Sequence, residues 1–244
     1  MSGVVIFGGT GGIGSAIAEA LSKKGISTFL VSRSEERLRA TASTVGARGY
    51  AVADATNLEQ VEGAFAQATT ALDGISGVAH CVGSILLKPA HLTSEAEFTS
   101  VIHQNLTSAF FVVRAAARTM TSGGSILLFS SAAGRIGLAN HEAIAAAKAG
   151  IIGLTLSAAA TYAPRKLRVN CIAPGLVQTQ MSEKITSNQS AAAFSRSLHP
   201  LGRLGDPADI APLAAVLLSD EGSWITGQVV GVDGGLATVK TKIE

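Results

Sequence analysis

Residues 1–14 read MSGVVIFGGTGGIG: an apolar run from Val4 to Phe7 breaks into glycines, and a helical pattern follows from Gly12 to Lys24. The run is continuously apolar, as expected of a strand covered on both faces. Glycines between a strand and a helix allow a tight turn and leave the first helical N–H groups free. Gly25 ends the helix, and Ile26 to Val31 supplies a second apolar run. Ser34 stands as an N-cap before Glu35 and Glu36, whose charges suit a helix N-terminus. Further strands are expected at Tyr50 to Ala53, Gly77 to Val82, Ser125 to Ser130, Leu167 to Ile172 and Gln228 to Val232. Helices are expected at Leu58 to Ala71, Glu95 to Met120, Glu142 to Tyr162 and Ala208 to Leu218. This alternation specifies an α/β fold, a Rossmann-type doubly wound parallel sheet of about seven strands with helices on both faces. No linker or repeat interrupts it, so residues 1–244 read as a single domain. Thr179 to Leu204 is the least regular stretch, and a long irregular insertion in such a domain is usually a lid or binding loop.

The composition excludes several classes. Hydrophobic residues make up 47% and charged residues 15%, which excludes a disordered chain. The formal charge is +2 with no long basic run, so no nucleic-acid partner is expected. The apolar run at the start is too short for a signal peptide or a membrane span. Cys81 and Cys171 are isolated, without C-x-x-C spacing, as in a protein of a reducing compartment, and a cytoplasmic location follows. His91, His103 and His199 show no metal-ligand spacing, and no metal is expected. Ser131 lacks the G-x-S-x-G surroundings of a hydrolase nucleophile.

The glycine stretch carries the chemistry. In Gly8-Gly9-Thr10-Gly11-Gly12-Ile13-Gly14 the glycines follow the pattern G-x-x-x-G-x-G at Gly8, Gly12 and Gly14. At the first strand-to-helix turn such a loop offers backbone N–H groups and a positive helix end to a pyrophosphate, so a dinucleotide is expected. A plain glycine-rich turn without ligand is the bland alternative. The second strand ends in Val31-Ser32-Arg33-Ser34, with no carboxylate to receive a ribose hydroxyl. Arg33, with Arg37 one turn on, offers forked donors suited to a 2′-phosphate, which points to NADP, with NAD possible. Read without a ligand, both arginines are solvated surface residues.

These motifs resemble the short-chain dehydrogenase/reductase family over essentially the whole chain. The resemblance implies that Thr10, Gly11 and Ile13 join the three glycines around the cofactor. It implies that Asp54, beside Ala55, contacts the adenine, although Phe7 stands where the family usually has Thr. His80-Cys81-Val82-Gly83 takes the place of the family's Asn-Asn-Ala-Gly and keeps only the glycine. Asn105, Ser131 and Lys148 match the active-site Asn, Ser and Lys. The segment Arg168 to Gly175, with Pro174 and Gly175 followed by Val177 and Thr179, matches the family's nicotinamide side. Gly227-Gln228 and Val232-Asp233-Gly234-Gly235 match its last strand. The resemblance also implies self-association, as a homotetramer or dimer.

The departure lies at the chemistry. The family's pair is Tyr-x-x-x-Lys, and four residues before Lys148 stands Ile144, which has no proton to give. The chain has two tyrosines. Tyr162 lies roughly 21 Å along the helix from Lys148, and Tyr50 precedes Asp54 on the adenine side. His141, seven residues before Lys148, shares a helix face with Ile144 and Lys148. The enoyl-acyl-carrier-protein reductases, a divergent branch of the resembled family, place their tyrosine at that spacing. His141 is therefore the candidate proton donor, as a neutral imidazole near a helix N-terminus. A solvated cap histidine is the other reading. The expected function is NADP-dependent oxidoreduction of a small carbonyl, hydroxyl or enoyl substrate with a non-standard active site. The alternative is an NADP-binding protein with little or no turnover.

Overall fold

The computed structural model describes residues 2–240. Seven strands form one parallel sheet in the order β3-β2-β1-β4-β5-β6-β7. They are β1 (Gly3–Phe7), β2 (Thr28–Ser32), β3 (Gly49–Val52), β4 (Ile75–His80), β5 (Gly124–Phe129), β6 (Leu167–Pro174) and β7 (Val229–Val232). Successive strands are added in one direction from β1 to β3 and in the other from β4 to β7, so the C-terminal ends of β1 and β4 open the crevice where such sheets bind ligands.

Alternation within each strand builds the two cores. Val5 and Phe7 of β1, with Ile126 and Leu128 of β5, face a layer of α3 (Leu58–Ala71), α5 (Ser108–Thr119) and α6 (Glu142–Tyr162). Val4, Ile6, Leu127 and Phe129 face the opposite layer of α1 (Gly12–Lys23), α2 (Glu35–Val45) and α9 (Pro207–Leu218). Both sets are buried, which explains why these strands read as continuous apolar runs. Ser34 caps α2 by accepting from the Arg37 N–H, as its position predicts.

Two expectations are corrected. The stretch Glu95 to Met120 is not one α-helix. It divides into α4 (Glu95–Ile102), a wide π turn (His103–Thr107) and α5. Within it Asn105 Nδ2 donates to the Val101 carbonyl at 2.9 Å and Ser108 Oγ to the Gln104 carbonyl at 2.7 Å. Side chains that bond carbonyls four residues back disturb the helical ladder, and π turns concentrate at functional sites. The stretch Thr179 to Leu204 is mostly helical, with a short α7 (Glu183–Thr186) and α8 (Gln189–Leu198). Asn188 caps α8 by accepting from the Ala191 N–H at 3.0 Å. Only Ala192 of α8 is fully buried, and the helix is short and rich in serine, a residue that favours caps and turns over helix interiors.

The apolar stretch Glu142–Arg165 is long enough to cross a membrane. Here its inner side, with Lys148, Ile151 and Thr155, is buried inside the protein, as in a core helix.

Candidate active site

At the C-terminal end of β1 the chain turns through Gly8, whose φ is +77°, and a Cβ there would lie 2.9 Å from the Cys81 carbonyl carbon. The Gly8 N–H donates to the Val31 carbonyl at 2.8 Å and the Gly11 N–H to the Gly8 carbonyl at 3.0 Å. A Cβ on Gly14 would run into the Gly8 carbonyl oxygen. The loop therefore keeps its backbone close-packed, and Arg37 Nη2 holds it from outside by donating to the Thr10 carbonyl at 2.8 Å. Of the two arginines, Arg37 is thus committed to the loop, while Arg33 is exposed at the rim.

A groove of about 390 Å³ runs along this edge. Its floor is the loop from Gly8 through Thr10, Gly11, Gly12 and Ile13 to Gly14. One end is formed by Ser32, Arg33, Asp54 and Ala55, and its middle by Cys81, Val82 and Gly83. Thr179 closes over Gly12, where a Cβ would approach Thr179 Cγ2 to 2.9 Å. Asp54 Oδ1 accepts from the Thr56 N–H at 2.9 Å and its hydroxyl at 2.7 Å. Burial raises the Asp54 pKa, but these bonds and the charge of Arg33 outweigh it, so the carboxyl stays below its ordinary value. Ser32 Oγ is buried without a hydrogen-bond partner at the end of β2. An unpaired buried hydroxyl on a groove wall is a ready contact for a ligand hydroxyl or phosphate. The groove's size, its glycine floor and this orphaned hydroxyl fit a dinucleotide.

Beyond Gly83 the groove meets three elements that carry the catalytic candidates. Asn105 is fully buried in the π turn. Its Nδ2 also donates to Ser84 Oγ at 3.0 Å, and its Oδ1 accepts from the Ser84 N–H at 3.2 Å. Lys148 of α6 donates from Nζ to the Phe129 carbonyl at 3.0 Å. A Cβ on Gly83 would lie 2.8 Å from Asn105 Oδ1 and 3.4 Å from Lys148 Nζ, so these three residues converge. Burial pulls the Lys148 ammonium down to about 8. Burial pushes the Cys81 thiol up to about 12 and the Cys171 thiol up to about 11, so neither is a nucleophile near neutral pH. Ser131, just after β5, accepts at Oγ from the Ala133 N–H at 3.2 Å, which leaves its own proton to donate.

Ile144 is buried with Val101, Ala143 and Ala147 and packs against Leu86, Ile102 and Leu106. The position is part of an apolar seam between α4 and α6. His141 caps the start of α6 and is half-buried. Its Nδ1 lies 2.7 Å from the Ala139 carbonyl, which can only accept, so the ring proton sits on Nδ1 and a neutral ring offers Nε2 as a lone pair. The expectation of a neutral imidazole donor is corrected accordingly: neutral His141 takes a proton at Nε2 and donates there only as imidazolium. Pro174, Gly175 and Val177 belong to the segment that leads from β6 to Thr179, where Val177 bridges to Gly205. Among the described residues no group of three or more His, Cys, Asp or Glu is placed to hold a metal.

Several positioning groups escaped the sequence reading. Buried Ser130 donates from Oγ to the Lys148 carbonyl at 2.7 Å and so ties α6 to β5. Ser182 Oγ donates to the Val177 carbonyl at 2.6 Å and accepts from the Thr179 N–H at 3.0 Å. His80 is buried with Nε2 2.9 Å from Ser108 Oγ. Burial, and next the charge of Lys148, take its pKa to about 3. Only the tandem Ser130-Ser131 hinted at any of these.

Residues 8–237 match a family model described as enoyl-(acyl carrier protein) reductase. The chain is 34% identical over 235 residues to the 3-oxoacyl-[acyl-carrier-protein] reductase FabG of Vibrio cholerae, covering 95% of this chain and 96% of that protein. A short-chain type dehydrogenase/reductase from Mycobacterium ulcerans superposes with a TM-score of 0.92 at 30% identity, covering 97% of this chain and 90% of that one. A variant of actinorhodin polyketide ketoreductase with NADPH superposes with a TM-score of 0.90 at 25% identity and 98% coverage of both chains.

Proposed function

The chain belongs to the short-chain dehydrogenase/reductase family, and from that premise we propose that it is an NADP-dependent oxidoreductase acting on a small carbonyl, hydroxyl or enoyl substrate. The observation that carries this reading is the convergence of Gly83, Asn105 and Lys148 at the end of the glycine-floored groove.

The glycine loop and the N-terminus of α1 hold the pyrophosphate. Ser32 and Arg33 receive the ribose phosphate, and Asp54 with Ala55 flanks the adenine. Val82 and Cys81 line the middle of the groove, and Thr179 closes it. When bound, the nicotinamide would supply the hydride chemistry. Ser131 donates its free hydroxyl proton to the substrate oxygen. Lys148 holds the nicotinamide-side ribose with its remaining ammonium protons, and Asn105 fixes the Gly83-Ser84 turn beside it. His141 exchanges the substrate proton at Nε2: it accepts from a hydroxyl when neutral and donates to an oxyanion as imidazolium. Ile144 contributes packing and no proton. The same proposal includes a cytoplasmic, self-associating enzyme, as a homotetramer or dimer.

NADPH titration by nicotinamide fluorescence, followed by a screen of ketones and enoyl thioesters, tests the reading. Tight binding with oxidation on at least one substrate is the expected result. The buried Ile144 favours a second reading, a cofactor-binding protein without turnover. Tight binding with no oxidation across the panel is its signature.

A further inference from the structure

His199 is one of the few fully buried polar side chains outside the catalytic end, and no step above uses it. It ends α8, in the stretch whose polarity suggested a lid. Its Nδ1 lies 2.7 Å from the Ser195 carbonyl, and its Nε2 accepts the Leu176 N–H at 3.2 Å. A carbonyl can only accept and a backbone N–H can only donate, so both contacts fix one neutral tautomer, with the proton on Nδ1. Space confirms the seat: a Cβ on Gly175 would lie 2.5 Å from His199 Nε2, and one on Gly234 would lie 3.6 Å from His199 Cβ. The ring therefore sits where the end of α8, the segment after β6 and the segment after β7 meet. The Gly175 N–H donates to the Val232 carbonyl at 3.1 Å, and the Leu201 N–H to the Gly234 carbonyl at 3.1 Å. Downstream of Leu176, Gln178 and Gly205 are joined at 2.9 Å, and Thr179 closes the groove over Gly12.

We propose that His199 is a positioning residue that locks the Gly175–Thr179 segment to the end of α8, so that lid and cofactor groove are held in one arrangement. The bond that matters is Nε2 to Leu176, because it satisfies a backbone N–H of the segment that leads to Thr179. The bond from Nδ1 to Ser195 is internal to α8 and secures only the helix end. This inference rests on the oxidoreductase reading, since it takes the groove as a cofactor site.

The test separates the two ring nitrogens. In His199→Gln the amide oxygen stands where Nε2 stood and keeps the Leu176 bond. In His199→Asn the amide nitrogen stands where Nδ1 stood and keeps only the Ser195 bond. NADPH dissociation constants, thermal melts and exchange of the Leu176 amide are measured on the full chain. His199→Gln binds NADPH within about threefold of wild type, and His199→Asn binds about 10- to 100-fold more weakly, as expected for an unsatisfied buried donor. Leu176 exchanges faster in His199→Asn alone. Equal NADPH affinity in the two variants, or equal weakening in step with a lowered melting temperature, overturns the proposal. If wild type fails to bind NADPH, the oxidoreductase reading falls. The Leu176 exchange pattern then still reports on the lock by itself.

Discussion

The two ends of the groove are built on different principles. At the adenine and pyrophosphate end the chain uses backbone: glycines packed against carbonyls, a positive helix end, and one arginine holding the loop. At the nicotinamide end it uses side chains from three elements, each fixed by hydrogen bonds, around a seam that Ile144 fills with hydrocarbon. The backbone-built end keeps the family pattern in Gly8, Gly12 and Gly14. The side-chain-built end keeps Asn105, Ser131 and Lys148 and departs at the one position that supplies a proton. On the proposed function, binding the cofactor and moving the substrate proton are separable, and each can be removed alone.

The largest expected effect falls on the backbone-built end. Gly12→Leu places a branched side chain against Thr179 and should weaken NADPH by roughly 100-fold, about 3 kcal/mol. Fluorescence titration checks it, and unchanged affinity would separate the groove from the cofactor. A smaller effect is expected at the rim. Arg33→Ala should weaken NADPH by about 10- to 50-fold through loss of a charge-assisted phosphate contact while leaving NADH nearly unchanged. Equal losses for both cofactors would remove the 2′-phosphate assignment.

The smallest concerns stability at the other end. Lys148 is 9% exposed, and burial takes its pKa to about 8, below the ordinary 10.5. At Lys148 the unfolded chain binds more protons than the folded one between these two values, so this group's contribution to stability rises with pH. The buried thiols of Cys81 and Cys171, pushed above their ordinary 9.0, act in the opposite direction above about that pH. The cost of burying the charge is fully present below the lower value. Lys148→Met should therefore stabilise the cofactor-free protein at pH 7 by about 1–2 kcal/mol while abolishing turnover. Denaturant melts of wild type and variant at pH 7 and pH 10 check this, the advantage of the variant shrinking as pH rises. A variant destabilised at pH 7, or an advantage over wild type that grows with pH, would contradict it.

Much of the fold was legible because the apolar runs and the glycines are local signals. Leu58–Ala71 and Glu142–Tyr162 have the expected limits, and Ser34 caps where it should. The π turn was not legible, because it lies inside a continuous helical pattern, and the side-chain bonds that Asn105 and Ser108 make there also occur in regular helix, as from Thr155 to Ile151. Helix α8 was missed because Ser190, Ser195 and Ser197 weaken its helical signal, although Asn188 was present to cap it. The catalytic candidates came from the family resemblance, with spacing along α6 adding His141, and neither source names the groups that support them. Ser130, Ser182 and His199 act through contacts with residues distant in sequence or with backbone carbonyls, and no local pattern records such contacts. The direction of His141 was hidden for the same reason, since the Ala139 carbonyl decides which nitrogen holds the proton.

That histidine is where the comparison between the two ends can be tested most directly. The measurement is the rate of NADPH oxidation by His141→Ala relative to wild type, on whichever ketone or enoyl substrate the wild type turns over, with NADPH affinity measured alongside. The account predicts a fall of roughly 10²- to 10⁴-fold in rate with affinity unchanged. A rate equal to wild type would contradict it and place the proton transfer elsewhere in the site.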